Sequence, residues 1–374
     1  MADRTRQGRR WPLRVGLGLL GAGAAVLAVE LVWRQMTFGP RALSPAGMNS
    51  IRPLGQARML QASEHWELHY ELRPNLHTRF KLASFHTNSK GLRDDECAVP
   101  KPPETFRVAF VGDSFTMGSG VELEEVFHSR LEALWRARAE GLAVECLNFG
   151  VGGYNLLSYA GLLEHRVFEY APDLVVVGLV SNDLTRPQQQ PDGPAFESKP
   201  VTHPFWRLHA LASLAPSEAL ASSSPAGPAG HRRHRLPSLA DRPDLEAEQR
   251  QYVDQQLSRL VELCERAHVP LALCYLEFRT TRNRKQVARR LRDFATEAEV
   301  PFFDALPLFA DSDPQGFMIL PSDPHPNPAA HAIYARGIGR FLLQADLLPD
   351  RLSGSEKKLP PGVSTESAVE PEGV

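Results

Sequence analysis

One serine, one histidine and one aspartate in this sequence are of the types that nucleophilic catalysis uses. Ser114 lies in residues 108–120 (VAFVGDSFTMGSG), an apolar run that ends in Gly112-Asp113-Ser114-Phe115 and passes into a helical pattern. A serine between a buried strand and a helix sits where open α/β sheets hold their ligands. The free N–H groups of the helix start favour developing negative charge there. His325 falls in Ser322-Asp323-Pro324-His325-Pro326-Asn327, just before the last helical pattern. It has the chemistry of a general base, with Asp323 two residues away to hold its tautomer. Two further segments follow apolar runs: Asn148-Phe149-Gly150-Val151-Gly152-Gly153 and Val180-Ser181-Asn182-Asp183. A glycine there lets a backbone N–H approach a ligand with no Cβ in the way. Asn182 offers a side-chain amide, and Asp183 is placed to cap or orient its loop.

Each of these has a structural alternative. Ser114 is equally suited to be an N-cap, and glycine or asparagine turns are structural more often than catalytic. Other glycine-based chemistries fail on spacing. No lysine completes a P-loop, and residues 112–116 (GDSFT) are not Gly-x-Ser-x-Gly because position 116 is threonine. Gly150-Val151-Gly152-Gly153 does not match the dinucleotide fingerprint.

Taken together and in this order, the four segments resemble the GDSL/SGNH hydrolase superfamily, over about residues 104–345. Residues 86–93 (HTNSKGLR) resemble an extension found in membrane-anchored members. The resemblance implies a flavodoxin-like α/β/α sandwich with Ser114 as nucleophile, His325 as base and Asp323 as its partner. It also implies an oxyanion hole from the Ser114 N–H, Gly153 and Asn182. The family's commonest spacing is Asp-x-x-His; here position 322 is serine and the spacing is Asp-x-His, which is known among acetyltransferase-type members. An ester carbonyl attacked by a serine develops an oxyanion, and one well-placed donor is worth about 10²–10³ in rate. Two N–H groups and an amide supply that without a metal. Asp113, Asp323 and His325 are also possible metal ligands, but metallophosphoesterases carry their Asp-x-His near the start of the domain. No metal and no cofactor is expected.

The elements that must position these residues are legible as apolar runs. Strands are expected at 106–111, 143–149, 174–180, 269–276 and 300–303, with helices near 124–139, 154–170, 245–267, 285–299 and 328–343. Runs of apolar residues, rather than alternations, between helices indicate a parallel sheet covered on both faces. Upstream, Trp66, Leu68, Tyr70 and Leu72 alternate with polar residues as a half-buried strand. The surrounding segment, 34–103, is too thin in apolar residues to be a separate domain and reads as an extension or linker. Residues 186–243 hold ten of the 31 prolines, with SSSPAGPAG and HRRHR inside, and read as a largely disordered insertion with one short helix near 205–214. HRRHR has the charge to hold an anionic group but is the composition of a solvated linker. Residues 346–374 read as a disordered tail. His203, His209 and His331 have no positioned partner, and Cys146 and Cys274 read as buried fillers of inner strands.

At the other end, residues 1–14 carry five arginines against one aspartate, followed by a wholly apolar or glycine stretch from 15 to 29. Extended to residue 33 the stretch is about 28 Å long as a helix, close to the hydrocarbon core of a bilayer. Trp11 and Trp33 bracket it as interfacial anchors, and the arginines keep the N-terminus cytoplasmic. The expectation is a single-pass signal anchor at 15–33 with the catalytic domain on the extracytoplasmic side, the alternative being a cleaved signal peptide.

The whole chain has 374 residues and a net charge of −2, with 43% hydrophobic residues and four cysteines. This excludes a disordered chain, a disulfide scaffold and a broad nucleic-acid footprint. The expected partners are a small-molecule, glycan or lipid ester and a membrane, with no nucleic acid. The reaction expected is ester hydrolysis through an acyl-serine. Alternatives are an O-acyltransferase using the same residues on an envelope or extracellular glycan, and a non-catalytic envelope protein that keeps the fold.

Overall fold

The computed structural model describes residues 4–38, 59–139, 141–184, 243–320 and 323–353. A long helix, α1 (Arg4–Phe38), comes first, and its stretch Val15–Val32 has a mean hydropathy of 2.1 with 6% of it buried. By length and composition that stretch can cross a membrane. Two antiparallel pairs follow, β1 (Leu60–Ala62) with β2 (Tyr70–Leu72), and β3 (His77–Phe80) with β4 (Ala83–His86). Next come β5 (Thr105–Gly112), α2 (Ser114–Met117), α3 (Phe127–Arg136), β6 (Ala143–Gly150), α4 (Leu156–His165) and β7 (Leu174–Leu179). The chain continues through α5 (Pro243–Arg266), β8 (Leu271–Tyr275), α6 (Arg282–Glu297) and β9 (Phe302–Asp304). It closes with the antiparallel pair β10 (Met318–Leu320) and β11 (Asp323–Pro326), then α7 (Pro328–Gln344) and α8 (Asp350–Ser353).

The five strands β6-β5-β7-β8-β9 form one parallel sheet in that order. All eight residues of β5 are buried, which is why its sequence is a run and not an alternation. Period-2 geometry divides its side chains between two cores. Ala109 and Val111 join Leu156, Leu257 and Leu291 of α4, α5 and α6 on one face. Val108 and Phe110 join Leu131, Trp135, Tyr334 and Ile338 of α3 and α7 on the other. This is the three-layer α/β/α sandwich expected from the sequence.

The segment before β5 is built into that sandwich. Met59, Leu68, Leu72, Phe80, Phe85 and Leu92 are buried in the same core as Leu156 and Tyr159 of α4. A Cβ on Gly161 of α4 would stand 2.8 Å from the Glu67 Cβ and 3.1 Å from Leu68 Cδ2, so the bare helix surface is where the segment seats. The alternation at 66–72 is only partly a strand. Trp66 is 67% exposed, His69 turns through φ +57°, and pairing starts at Tyr70. The helix expected from 124 is delayed: Leu123–Glu125 is a 3₁₀ turn, Val126 is extended, and α3 starts at Phe127. The tail expected from 346 begins as folded chain, because Leu348 and Leu352 are buried in the second core and Arg351 pairs with Glu104. The rest of the tail, from 354, and the insertion up to 242, with HRRHR, His203 and His209, lie outside the described residues. Buried His331 packs on Phe127, and Cys146 and Cys274 are free, buried thiols, as expected of core residues.

At the C-terminal edge of the sheet three glycines lie side by side, with Gly112 in register with Gly150 on one neighbour and Gly178 on the other. α2 rests directly on them. A Cβ on Gly150 would stand far inside van der Waals contact distance of the Met117 backbone nitrogen. One on Gly112 or Gly178 would strike the Thr116 hydroxyl. Backbone cannot yield as a flexible side chain does, so Gly150→Ala should destabilise the fold by about 1–3 kcal/mol through overpacking. The check is the midpoint of urea unfolding; wild-type stability in Gly150→Ala would mean that α2 does not lie on the strand ends.

Candidate active site

Ser114 is the first residue of α2, and the N-cap is Asp113, not Ser114. The Asp113 carboxylate accepts from the Phe115 N–H at 2.8 Å and from the Ser114 hydroxyl at 3.2 Å. Asp113 is 2% exposed, and burial pushes its carboxyl above the ordinary range. The other end of α2 is held from the upstream segment. The guanidinium of Arg93, last residue of HTNSKGLR, donates to the carbonyls of Met117 at 2.7 Å, Gly118 at 2.5 Å and Val121. It also lies 4.7 Å from the Phe85 ring centroid. Arg93 is 1% exposed, and burial brings its guanidinium down to about 10, which still leaves it charged at neutral pH. HTNSKGLR is therefore an internal brace: Asn88 accepts from Lys90 and Leu92, and Thr87 donates to the Arg73 carbonyl.

His325 and Asp323 come from β11. Residues two apart on a strand point to the same face, so the Asp-x-His spacing brings the two side chains together without a turn. His325 Nδ1 stands 2.5 Å from Asp323 Oδ1, and His325 Nε2 stands 3.0 Å from Ser114 Oγ. An unbroken chain thus runs from carboxylate through imidazole to hydroxyl, across 211 residues of sequence. The imidazole lies 5.7 Å from the Phe115 ring, which stacks on Phe278 at 6.1 Å. Asn327 completes the segment as the N-cap of α7, accepting from Ala329 and Ala330 at 3.1 Å.

Two more strand ends contribute. Asn182 is exposed in the 3₁₀ turn after β7, and its amide hydrogen-bonds to Asp113 and lies 3.4 Å from Asp183 Oδ1. Asp183 is buried, and its Oδ2 accepts from the Val180 N–H at 2.8 Å, which fixes this turn. Gly153, after β6, has φ +88° and is exposed. Beside it Tyr70 donates to the Gly152 carbonyl at 3.1 Å, and burial together with the charge of Asp113 pushes the Tyr70 phenol up to about 12. Ser114, His325 and Asp323 are thus in one hydrogen-bonded chain, Asn182 is tied to its cap, and Gly153 lies at the rim beside Tyr70. A cavity of about 250 Å³ lined by Leu72, Gly91, Asn148, Val151 and Tyr154 contains none of the three.

Sequence reasoning passed over Lys81. It lies in the turn between β3 and β4, and its Nζ is 2.8 Å from Asp323 Oδ2. Burial pushes the Asp323 carboxyl up, but the hydrogen bonds from His325 and Lys81 and the Lys81 charge outweigh it and hold it well below the carboxylate range. The ammonium already occupies the place where a cation would meet Asp323 and His325. Only a separate group, Glu67, Glu164 and His165, clusters in the manner of metal ligands among the described residues, and Arg259 sits against both glutamates. Nothing local to Lys81 marks it, since its partner His325 is 244 residues away.

The sequence model of the GDSL-like lipase/acylhydrolase family matches residues 110–333, more than half of the chain. No curated protein matches. Among solved structures, the acetylxylan esterase Axe2 from Geobacillus stearothermophilus is similar at 17% identity, with 63% of this chain and 94% of that one covered and a TM-score of 0.40. TesA is similar at 16% identity, with 65% and 99% covered and a TM-score of 0.40.

The depressed Asp323 carboxyl has a consequence for acid stability. Its unfolded value is about 3.9, so the stability it contributes is complete above roughly pH 5 and is lost as pH falls through 3.9 toward the folded value. Asp323→Asn should therefore show a shallower decline of Tm than wild type between about pH 5 and pH 2. Parallel declines in a thermal-shift series would show that the carboxylate is not held by its two donors.

Proposed function

Because the chain belongs to the GDSL-like lipase/acylhydrolase family and is an ester-hydrolysing enzyme, we propose that Ser114, His325 and Asp323 form its catalytic triad, working through an acyl-serine. The observation that supports this most is the Asp323–His325–Ser114 hydrogen-bond chain, with Nε2 already 3.0 Å from the hydroxyl. His325 Nε2 takes the hydroxyl proton as Ser114 Oγ bonds to the ester carbonyl carbon, and Asp323 balances the imidazolium. The oxyanion is received by the Ser114 N–H, the Gly153 N–H and the Asn182 amide. The tetrahedral adduct collapses by breaking the bond to the leaving alkoxide, which takes the proton from Nε2 and departs as the alcohol. Water then attacks the acyl-serine, gives its proton to His325, and the acid leaves as Ser114 is reprotonated.

Placement of the domain outside the cytoplasm is part of the same reading. It is supported by the apolar Val15–Val32 stretch of α1 and by the five arginines before it. The substrate class is an acetyl or longer acyl ester of a small molecule, a glycan or a lipid. Acyl transfer to a sugar hydroxyl uses the same intermediate, and the ratio of transfer to hydrolysis on an acetylated glycan separates the two.

The reading is tested at the serine. A fluorophosphonate probe should label wild type and not Ser114→Ala, and chromogenic acetyl-ester turnover should disappear with the label; folded wild type that does neither refutes the triad. Asn182→Ala should lower kcat about 10²-fold or more with little change in KM, because its contact with the oxyanion exists mainly in the transition state. A change in KM alone would remove Asn182 from the oxyanion hole.

A further inference from the structure

The family match begins at residue 110, yet the site receives a charged side chain from residue 81. Lys81 Nζ is 2.8 Å from Asp323 Oδ2 and 2.8 Å from His325 Nδ1. It thus touches both members of the pair that would drive the serine. Its stem does not sway free. A Cβ on Gly120, which has φ +86°, would stand 3.2 Å from the Lys81 Cβ and Cδ and 2.6 Å from Ile319 Cδ1, so the stem runs through a slot that the glycine keeps open beside β10. The ammonium also lies 5.5 Å from the Phe80 ring centroid, and the side chain is 20% exposed. Lys81 itself has φ +55°, a conformation that glycine or asparagine adopts more cheaply in a hairpin turn. A long cationic side chain is kept at this costly position, and its charged end lands on Asp323.

Resting on the triad reading above, we propose that Lys81 is a positioning residue of the active site, a cationic clamp by which the upstream segment completes the serine hydrolase machinery. With Oδ2 held by the ammonium, Oδ1 is left to His325, and the carboxylate cannot rotate away from the imidazole. The charged or polar groups facing His325 are Asp323 on its own strand, Lys81 from the β3–β4 turn, and Asp113 and Ser114 at the start of α2. Of these only Lys81 is a cation.

The test compares the full chain with Lys81→Met, of similar length and no charge, and Lys81→Arg, which keeps the charge. Lys81→Met should lose about tenfold in kcat with KM within about twofold, and Lys81→Arg should restore most of that loss. Wild-type kcat in Lys81→Met overturns the clamp, and so does an activity loss that only tracks a lower Tm or that Lys81→Arg leaves in place. If wild type neither turns over esters nor takes the fluorophosphonate, the hydrolase reading fails instead. The clamp is then decided by proton NMR of the His325–Asp323 hydrogen bond: a low-field resonance displaced in Lys81→Met sustains it, and an identical one overturns it.

Discussion

Helix α2 contains four residues, too few to hold itself together, so its place is dictated by the strand ends beneath it: its backbone lies on the end of β6, and its Thr116 side chain sits over β5 and β7. That contact exists only because Gly112, Gly150 and Gly178 carry no side chains where the three strands stop. Once the helix is seated, two buried side chains secure its ends: the Asp113 carboxyl accepts from the Phe115 N–H, and the Arg93 guanidinium collects the last carbonyls. The Ser114 hydroxyl is therefore presented by a sheet edge, a cap and a clamp, with almost no contribution from helix propensity.

The rest of the site is a problem of bringing distant chain to that fixed point. β11 supplies His325 and Asp323 from one face of a strand, and the upstream segment supplies Arg93 on one side of the serine and Lys81 on the other side of the aspartate. The segment can do this because its own apolar residues, Leu68, Leu72, Phe80 and Phe85 among them, are buried against α4 in the main core. Its burial is what ties both cations to the same core as the sheet.

The sheet was legible in the sequence because strands buried on both faces need apolar runs, and 106–111, 143–149 and 174–180 are such runs. Ser114, Asn182 and His325 stand out as candidates because each follows or precedes an element in a short block whose residue types have few other uses in combination. What escaped was set by long-range contact. From the sequence Asp113 is a possible metal ligand and the cap falls to Ser114; the hydrogen bond from the Phe115 N–H makes Asp113 the cap. Lys81 and Arg93 carry no local mark of their roles because their partners are 244 and 24 to 28 residues away. The alternation at 66–72 suggested more strand than exists, since the His69 turn that interrupts it leaves no mark in polarity.

Three carboxyl groups lie around Ser114, and their environments drive them apart. Asp113 and Asp183 are buried, burial pushes both above the ordinary carboxylate range, and the charge of Asp113 raises Asp183 further. Asp323 is less buried and has donors from His325 and Lys81, so it alone is driven strongly down. Separation of this kind assigns work: a carboxyl that resists ionisation is suited to hold structure through hydrogen bonds, and one that stays ionised is suited to balance a transient imidazolium. Part of the difference comes from the Asp-x-His strand, through the His325 hydrogen bond, and part from Lys81, which adds a second hydrogen bond and a positive charge. The electrostatic asymmetry of the site is thus shared between the stretch that carries the family's motifs and a residue outside it.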